Sequence, residues 1–325
     1  MSSIFKYKKI NNEIVITGLQ KGVATISIVI PETIDGMPVT AIADEAFKES
    51  SITDIKIGEN IRKIGKQAFY MCNKLSSVTW SHKCGVIPIY CFARCSNLTQ
   101  FDFSGVKKVR ERAFSESGLQ EVCLPKNIEV VSDWAFYGCE KLSSVIWNCK
   151  CDVISACCFA ECSNLTQFDF SGVKKVEENA FFESGLQEVC LLENIEVVSE
   201  WAFYGCEKLS SVKWNCKCDV IPAYCFVRCS NLTQFDFSNI KKIEAHAFRG
   251  SGLTSVTLNK GTVVTTNCFA ECNDLKKVEW LSDISIEGRI FEGCKNIKEI
   301  CISDKVKNIE ASAFASSPNA EITFV

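Results

Sequence analysis

Chemistry in this chain would have to come from its 21 cysteines and two histidines, set among 325 residues. Thiols at that density could pair as disulfides, ligate a soft metal such as zinc, or lie buried as small apolar groups. Eight of them, Cys72, Cys95, Cys139, Cys162, Cys206, Cys229, Cys272 and Cys294, each follow a phenylalanine by three residues, and Cys91, Cys158, Cys225 and Cys268 each directly precede one. Neighbours in such a column of stacked repeats have parallel Cβ vectors ~4.8 Å apart, longer than the ~3.8 Å that a disulfide prefers. Ser50, Ser117, Ser184 and Ser251 fill the same column as the eight, and the cysteine total is odd. The register therefore predicts buried structural thiols.

Cys149-Lys150-Cys151 and Cys216-Lys217-Cys218 form two C-x-C pairs, 67 residues apart. Three repeat units separate them, ~14 Å of strand stacking, so they cannot share one zinc with ~2.3 Å bonds. Cys151 and Cys218 also fall on an apolar column, which leaves only Cys149 and Cys216 exposed. No metal and no cofactor are expected. His82, in a solvated turn, and His246, in an exposed place before Ala247, lie about seven units apart and cannot act together as acid and base. With no triad, Gly-rich phosphate loop or H-E-x-x-H pattern, the chain reads as non-enzymatic, with no catalytic residues.

The elements that position these side chains are short repeats. Phe47, Phe69, Phe92, Phe114, Phe136, Phe159, Phe181, Phe203, Phe226, Phe248, Phe269, Phe291 and Phe314 recur every 21 to 23 residues. Ala or Cys precedes the phenylalanine at twelve of the thirteen places, with Ile290 the exception, and Cys or Ser always follows three residues on. An L-x-x-V-x-L series comes next, as in Leu186, Val189 and Leu191 or Leu165, Phe168 and Phe170. Its alternation predicts a short strand in each unit with two side chains inward, and Trp80, Trp147, Trp214 and Trp280 take one of those inward places. One unit cannot close a core alone, so neighbouring strands must stack in parallel. The return segments, such as 129–138, lack a sustained 3.6-residue period and predict coil and short turns. There Trp134, Tyr137, Trp201 and Tyr204 flank the core phenylalanines and are expected to cover its far side, with Tyr90 and Tyr224 nearby. A longer period overlies the short one: residues 92–158 match 159–225 at 57 of 67 positions, and a third copy from Phe226 keeps CSNLTQFDFS. The array grew by copying triplets.

The pattern as a whole predicts a β-rich leucine-rich-repeat solenoid, a curved rod of about 13 parallel-strand repeats of 21–23 residues. Residues 1–40 read as an N-terminal β-cap and 41–325 as the array; 4–19 and 24–30 read as strands ahead of the turn Ile34-Asp35-Gly36-Met37-Pro38. The last strand, Ile322 to Val325, ends the chain with little to cover it.

Outward strand positions form repeated polar sets and are the candidate binding residues. Thr99, Gln100 and Asp102 recur as Thr166, Gln167 and Asp169 and as Thr233, Gln234 and Asp236, with Gln120 and Glu121, then Gln187 and Glu188, on intervening strands. Such a face suits a protein or glycan partner bound through many weak copies, although it lacks the Trp, Tyr and Arg of typical hot spots and would also serve to keep a sheet soluble. A formal net charge of −3 gives no global basic field for nucleic acid, and no apolar stretch approaches the ~20 residues of a membrane span. The first ten residues carry lysines with no apolar stretch behind them, so no secretory leader is expected. A monomer is expected.

The series A-F-x-x-C-x-x-L-x-x-V-x-L-P-x-x-I-x-x-V, spelled by residues 113–131 and continued by 135–142, resembles the BspA-like (Treponema-type) leucine-rich repeat, and the segment IVIPETIDGMPVTAIADEAF, residues 28–47, is similar to the usual opening of its arrays. The resemblance covers nearly the whole chain. It implies a non-enzymatic adhesin-like scaffold at the cell surface or secreted. Absence of a leader and unpaired thiol columns point instead to a cytoplasmic interaction scaffold, and that alternative stays open.

Overall fold

The structure is a computed structural model that describes residues 4–23 and 26–325. Among the described residues the chain forms 25 strands of two to seven residues and no helix. They wind into a parallel-strand β-solenoid of about 14 turns. By contacts the chain divides into two compact units, Met1–Leu165 and Thr166–Val325.

The first unit opens on an antiparallel hairpin, β1 (Phe5–Ile10) and β2 (Glu13–Leu19). The sequence reads as one strand over this stretch, but Asn11 and Asn12 both take positive φ (50° and 61°), the two-residue turn that matches the twist of a hairpin. Next come β3 (Ser27–Val29), β4 (Thr33–Ile34) and β5 (Met37–Ile42). Ala24 and Thr25, expected to begin a strand, lie outside the described residues. Asp35 and Gly36 close a second tight turn, and β5 runs parallel to β2 on one side and to Lys63–Ile64 on the other. β3 begins the strand row, pairing in parallel with Asp54–Lys56, which pairs with Ser77–Thr79.

Three rows of backbone bonds join successive turns. The first is the strand row, in register as Glu121 opposite Ser144 and Leu124 opposite Trp147 in the first unit, and Glu188 opposite Ser211 in the second. The second consists of two-residue strands, such as Lys108–Val109 between Val86–Ile87 and Val130–Val131. The third lies in the return segments. At most turns the amides two before, at and two after the core phenylalanine donate to carbonyls of the next turn, as Tyr90 to Glu111, Phe92 to Ala113 and Arg94 to Ser115, or Tyr224 to Ala245, Phe226 to Ala247 and Arg228 to Arg249. The return segments are thus bonded turn to turn, where the sequence suggests coil.

That third row needs a special backbone. The residue two before the phenylalanine is left-handed at twelve successive turns, from Glu45 (φ 56°) through Trp134 (60°) and Trp201 (61°) to Arg289 (66°), and so is the residue two after, from Glu49 to Gly293. For an L-residue this conformation costs of order 1–2 kcal/mol, and it is worst for a β-branched side chain. Neither column contains Val, Ile or Thr.

Inside, the phenylalanine rings stack along each unit. Centroids from Phe47 to Phe159 are 5.2–5.7 Å apart, and from Phe181 to Phe314 5.2–5.8 Å apart, with near-parallel planes. A fully buried Phe contributes ~1.5–3 kcal/mol by burial, and each ring pair adds ~0.5–1.5 kcal/mol. The four tryptophans are buried, and their indole N–H groups donate to the carbonyls four residues on, of Cys84, Cys151, Cys218 and Ile284, closing the turn after the strand. At the far end, Glu321–Phe324 pairs with Glu299–Ile302, while Ile322 and Phe324 stay half or more exposed.

One local expectation fails. Residues 98–103, 165–170 and 232–237 fit the L-x-x-V-x-L pattern, yet they form no strand. In each, an aspartate carboxylate accepts the backbone amide two residues on, Asp102 from Ser104, Asp169 from Ser171 and Asp236 from Ser238, all at 2.9 Å. Local side-chain bonds of this kind compete with a ladder for the backbone.

Candidate binding surfaces

Outward strand side chains share one face in each unit. Thr99 and Gln120 sit one turn apart, tied by the Gln120 amide to the Thr99 carbonyl (3.0 Å), and Thr166 and Gln187 are tied likewise (2.9 Å). Gln100, Asp102, Gln120, Glu121, Gln167, Asp169, Gln187, Glu188, Thr233, Gln234 and Asp236 are exposed, whereas Thr99 and Thr166 are half-buried. The aspartates already serve their own turns, which gives Asp102, Asp169 and Asp236 a structural role whatever else they do.

In the second unit the missing strand leaves a groove of about 360 Å³. Gln234, Phe235 and Asp236 line it together with Ser255, Thr257 and Asn259. The last three lie outside the sequence-predicted set; Ser255 and Thr257 are the outward residues of Ser255–Leu258, so their strand alternation was the available signal. Thr257 donates to Glu279 (2.8 Å), which pairs with Lys277 (2.8 Å). The face is polar and mildly acidic, with Asp102, Glu121, Asp169, Glu188 and Asp236 exposed on it, and is suited to many hydrogen bonds.

All 21 cysteines are free thiols, and 15 are buried. The eight that follow phenylalanine donate S–H to the Phe carbonyl of the preceding turn at 2.9–3.3 Å. Where serine takes the column, Ser117, Ser184 and Ser251 bond the next thiol at 3.4 Å. Burial pushes Cys139 up to about 11 and Cys72 and Cys206 up to about 12, far from reactive thiolates. In each C-x-C pair the two thiols are close enough that ionising one makes the other harder to ionise. Cys149, Cys216 and Cys218 are half-buried, so Cys218 is more open than its apolar column implied. Among the described residues no group of three or more His, Cys, Asp or Glu could hold a metal ion.

His82 is exposed in a turn. His246 is half-buried, not exposed as its sequence context suggests: its ring stacks on Tyr224 at 4.8 Å, because both occupy the left-handed column two before phenylalanine. Burial foremost, then Arg249, lowers its pKa, and Nδ1 is buried without a hydrogen-bond partner.

The same column gathers the half-buried aromatics of the return side. In the first unit Arg112 lies 4.3 Å from the Trp134 ring and 5.6 Å from Tyr90. In the second, Trp201 stacks on Tyr224 at 4.1 Å and meets Tyr204 at 5.1 Å. The rings do cover the core, and together with neighbouring arginines they also form the one described surface with hot-spot composition.

With this geometry in place the comparisons are direct. The family described as BspA type leucine-rich repeat region matches in six copies over residues 21–143, 87–210, 152–276 and 262–325. The chain belongs to this family. Among solved structures it is similar to a leucine-rich repeat protein from Bacteroides ovatus (19% identity, TM-score 0.65, covering 100% of this chain and 99% of that one). It is also similar to a leucine-rich cell surface protein from Faecalibacterium prausnitzii (22% identity, TM-score 0.59, covering 100% and 94%). At such identities the likeness is one of fold. No curated protein matches the sequence. The chain is a leucine-rich-repeat scaffold, and no helix among the described residues is long and apolar enough to cross a membrane.

Proposed function

We propose that this chain is a non-enzymatic adhesin-like scaffold that recognises a protein or glycan partner at a cell surface or after secretion. The observation that carries the reading is the repeated outward polar set, Thr99, Gln100, Asp102, Gln120 and Glu121 with their copies in the second unit, whose exposed members recur on two turns of each copied triplet. Copies of a weak contact add avidity without any single strong one. The groove at Gln234 and Asp236 gives such a partner a seat on that face. The hairpin of β1 and β2 acts as the cap of the array, covering the first turn's backbone. Protease treatment of intact cells is the test: cleavage before lysis is expected, and survival until lysis contradicts a surface role.

The 21 free thiols support a second reading, an interaction scaffold of the reducing cytoplasm. Thiol titration of the denatured, unreduced native protein separates the two. A full complement of free thiols favours the cytoplasm, and extensive disulfides rule it out.

A further inference from the structure

Triplet copying placed two arginines in equivalent positions with different neighbours. Arg94 and Arg228 both stand two residues after a core phenylalanine, in the left-handed column. Arg94 is neutralised by the glutamate one turn on, with Nε and Nη2 donating to Glu116 at 3.1 and 3.3 Å. At the corresponding place Arg228 meets Gly250, which has no side chain to offer. Glu271, the carboxylate that shares a recess with Arg228, has both oxygens engaged by Arg249, at 3.2 and 2.7 Å. Arg228 is thus exposed with no ion pair among the described residues.

Beside this excess charge lies a recess of about 160 Å³. Trp201, Tyr204, Tyr224 and Val227 line it with Arg228, Arg249 and Glu271, the glutamate held by Arg249 and Arg228 left to face a ligand. Gly205 and Gly250 interrupt the column of larger side chains around Arg228. The first unit is arranged differently: there Arg112 itself occupies the aromatic surface and Glu116 closes off Arg94.

We propose that this recess binds a carboxylated pyranose, the acidic residue of a glycan, on the return side and apart from the strand face considered above. A pyranose presents C–H faces to aromatic rings while its carboxylate meets a guanidinium in a charge-assisted, two-point bond. Recognition of a peptide backbone is disfavoured here, because the amides of Trp201, Phe203, Tyr224, Phe226 and Arg228 are already bonded to the next turn and leave no free edge.

Saturation-transfer NMR on the full chain with methyl glucuronide, and with methyl glucoside as the neutral control, tests the assignment. Transfer to the acid and not to the neutral sugar is expected. Gly250→Glu restores the carboxylate found at Glu116, in a column where glutamate is already accommodated at φ 50–60°, and is expected to weaken binding about tenfold or more. Arg228→Gln gives the same loss without touching the left-handed glycine, and Arg94→Gln leaves binding unchanged. Unaltered thermal midpoints establish that the variants fold. Equal binding by wild type, Gly250→Glu and Arg228→Gln overturns the proposal. So does equal transfer to the neutral sugar, or binding of a hexaglutamate peptide where methyl glucuronide fails.

Discussion

The strand side and the return side of each turn solve the same problem differently. On the strand side the parallel ladder lapses at 99–103, 166–170 and 233–237, where aspartates satisfy their own turns. On the return side three bonds per turn recur through most of each unit and thin out only toward the C-terminal end, where the amides of Asn267, Arg289 and Phe291 make no such bond among the described residues, at the cost of two left-handed residues in nearly every turn. The difference teaches where register resides. The return row and the phenylalanine stack fix the spacing of turns, which frees the strand face to vary. It also explains why aromatic and basic side chains collect on the return side: the left-handed columns exclude β-branched residues and accept Trp, Tyr, Arg and Glu.

If the interior columns set the register, alkali should dissolve it. A thiol whose folded pKa is raised adds stability that is fully present below its unfolded value, here 9.0, and lost as pH climbs through the folded value of about 11 for Cys139 and about 12 for Cys72 and Cys206. Several such thiols act together, so the thermal midpoint should fall steeply above pH 9, and a flat profile to pH 11 argues against a buried column. Phe136→Ala removes a fully buried ring with stacked neighbours on both sides and should cost ~3–5 kcal/mol in chemical denaturation. Gln67→Val places a β-branched residue at φ 55° and should cost about 1–3 kcal/mol; a neutral result would mean that the left-handed column imposes no constraint. Gln120→Ala, on the strand face, should change stability by less than about 0.5 kcal/mol while weakening partner binding.

Much of this was legible beforehand. Counting from one phenylalanine to the next gave the turn length, the buried thiols and the inward tryptophans, because those positions are fixed by volume and repeat in type. The strand lapse was not, since LTQFDF satisfies the same apolar alternation as a true strand; only the Asp102-x-Ser104 spacing hinted at a self-bonded turn. Left-handed columns announce themselves through the residues they exclude, a faint signal, so the return side read as coil and His246 as exposed. Of the candidate face, Gln120 and Glu121 could be placed from strand alternation, while Ser255, Thr257 and Asn259 joined Gln234 only once the missing strand opened a groove.

Hydrogen exchange bears most directly on the claim that the return row carries the register. The amides of Tyr90, Phe92 and Arg94 each donate to the next turn at 2.8–3.1 Å, whereas those of Gln100, Phe101, Asp102 and Phe103 donate no hydrogen bond among the described residues. The fold predicts slow exchange over 90–95 and fast exchange over 100–103 in the native protein. Equal rates in the two segments, or slower exchange at 100–103, would contradict it.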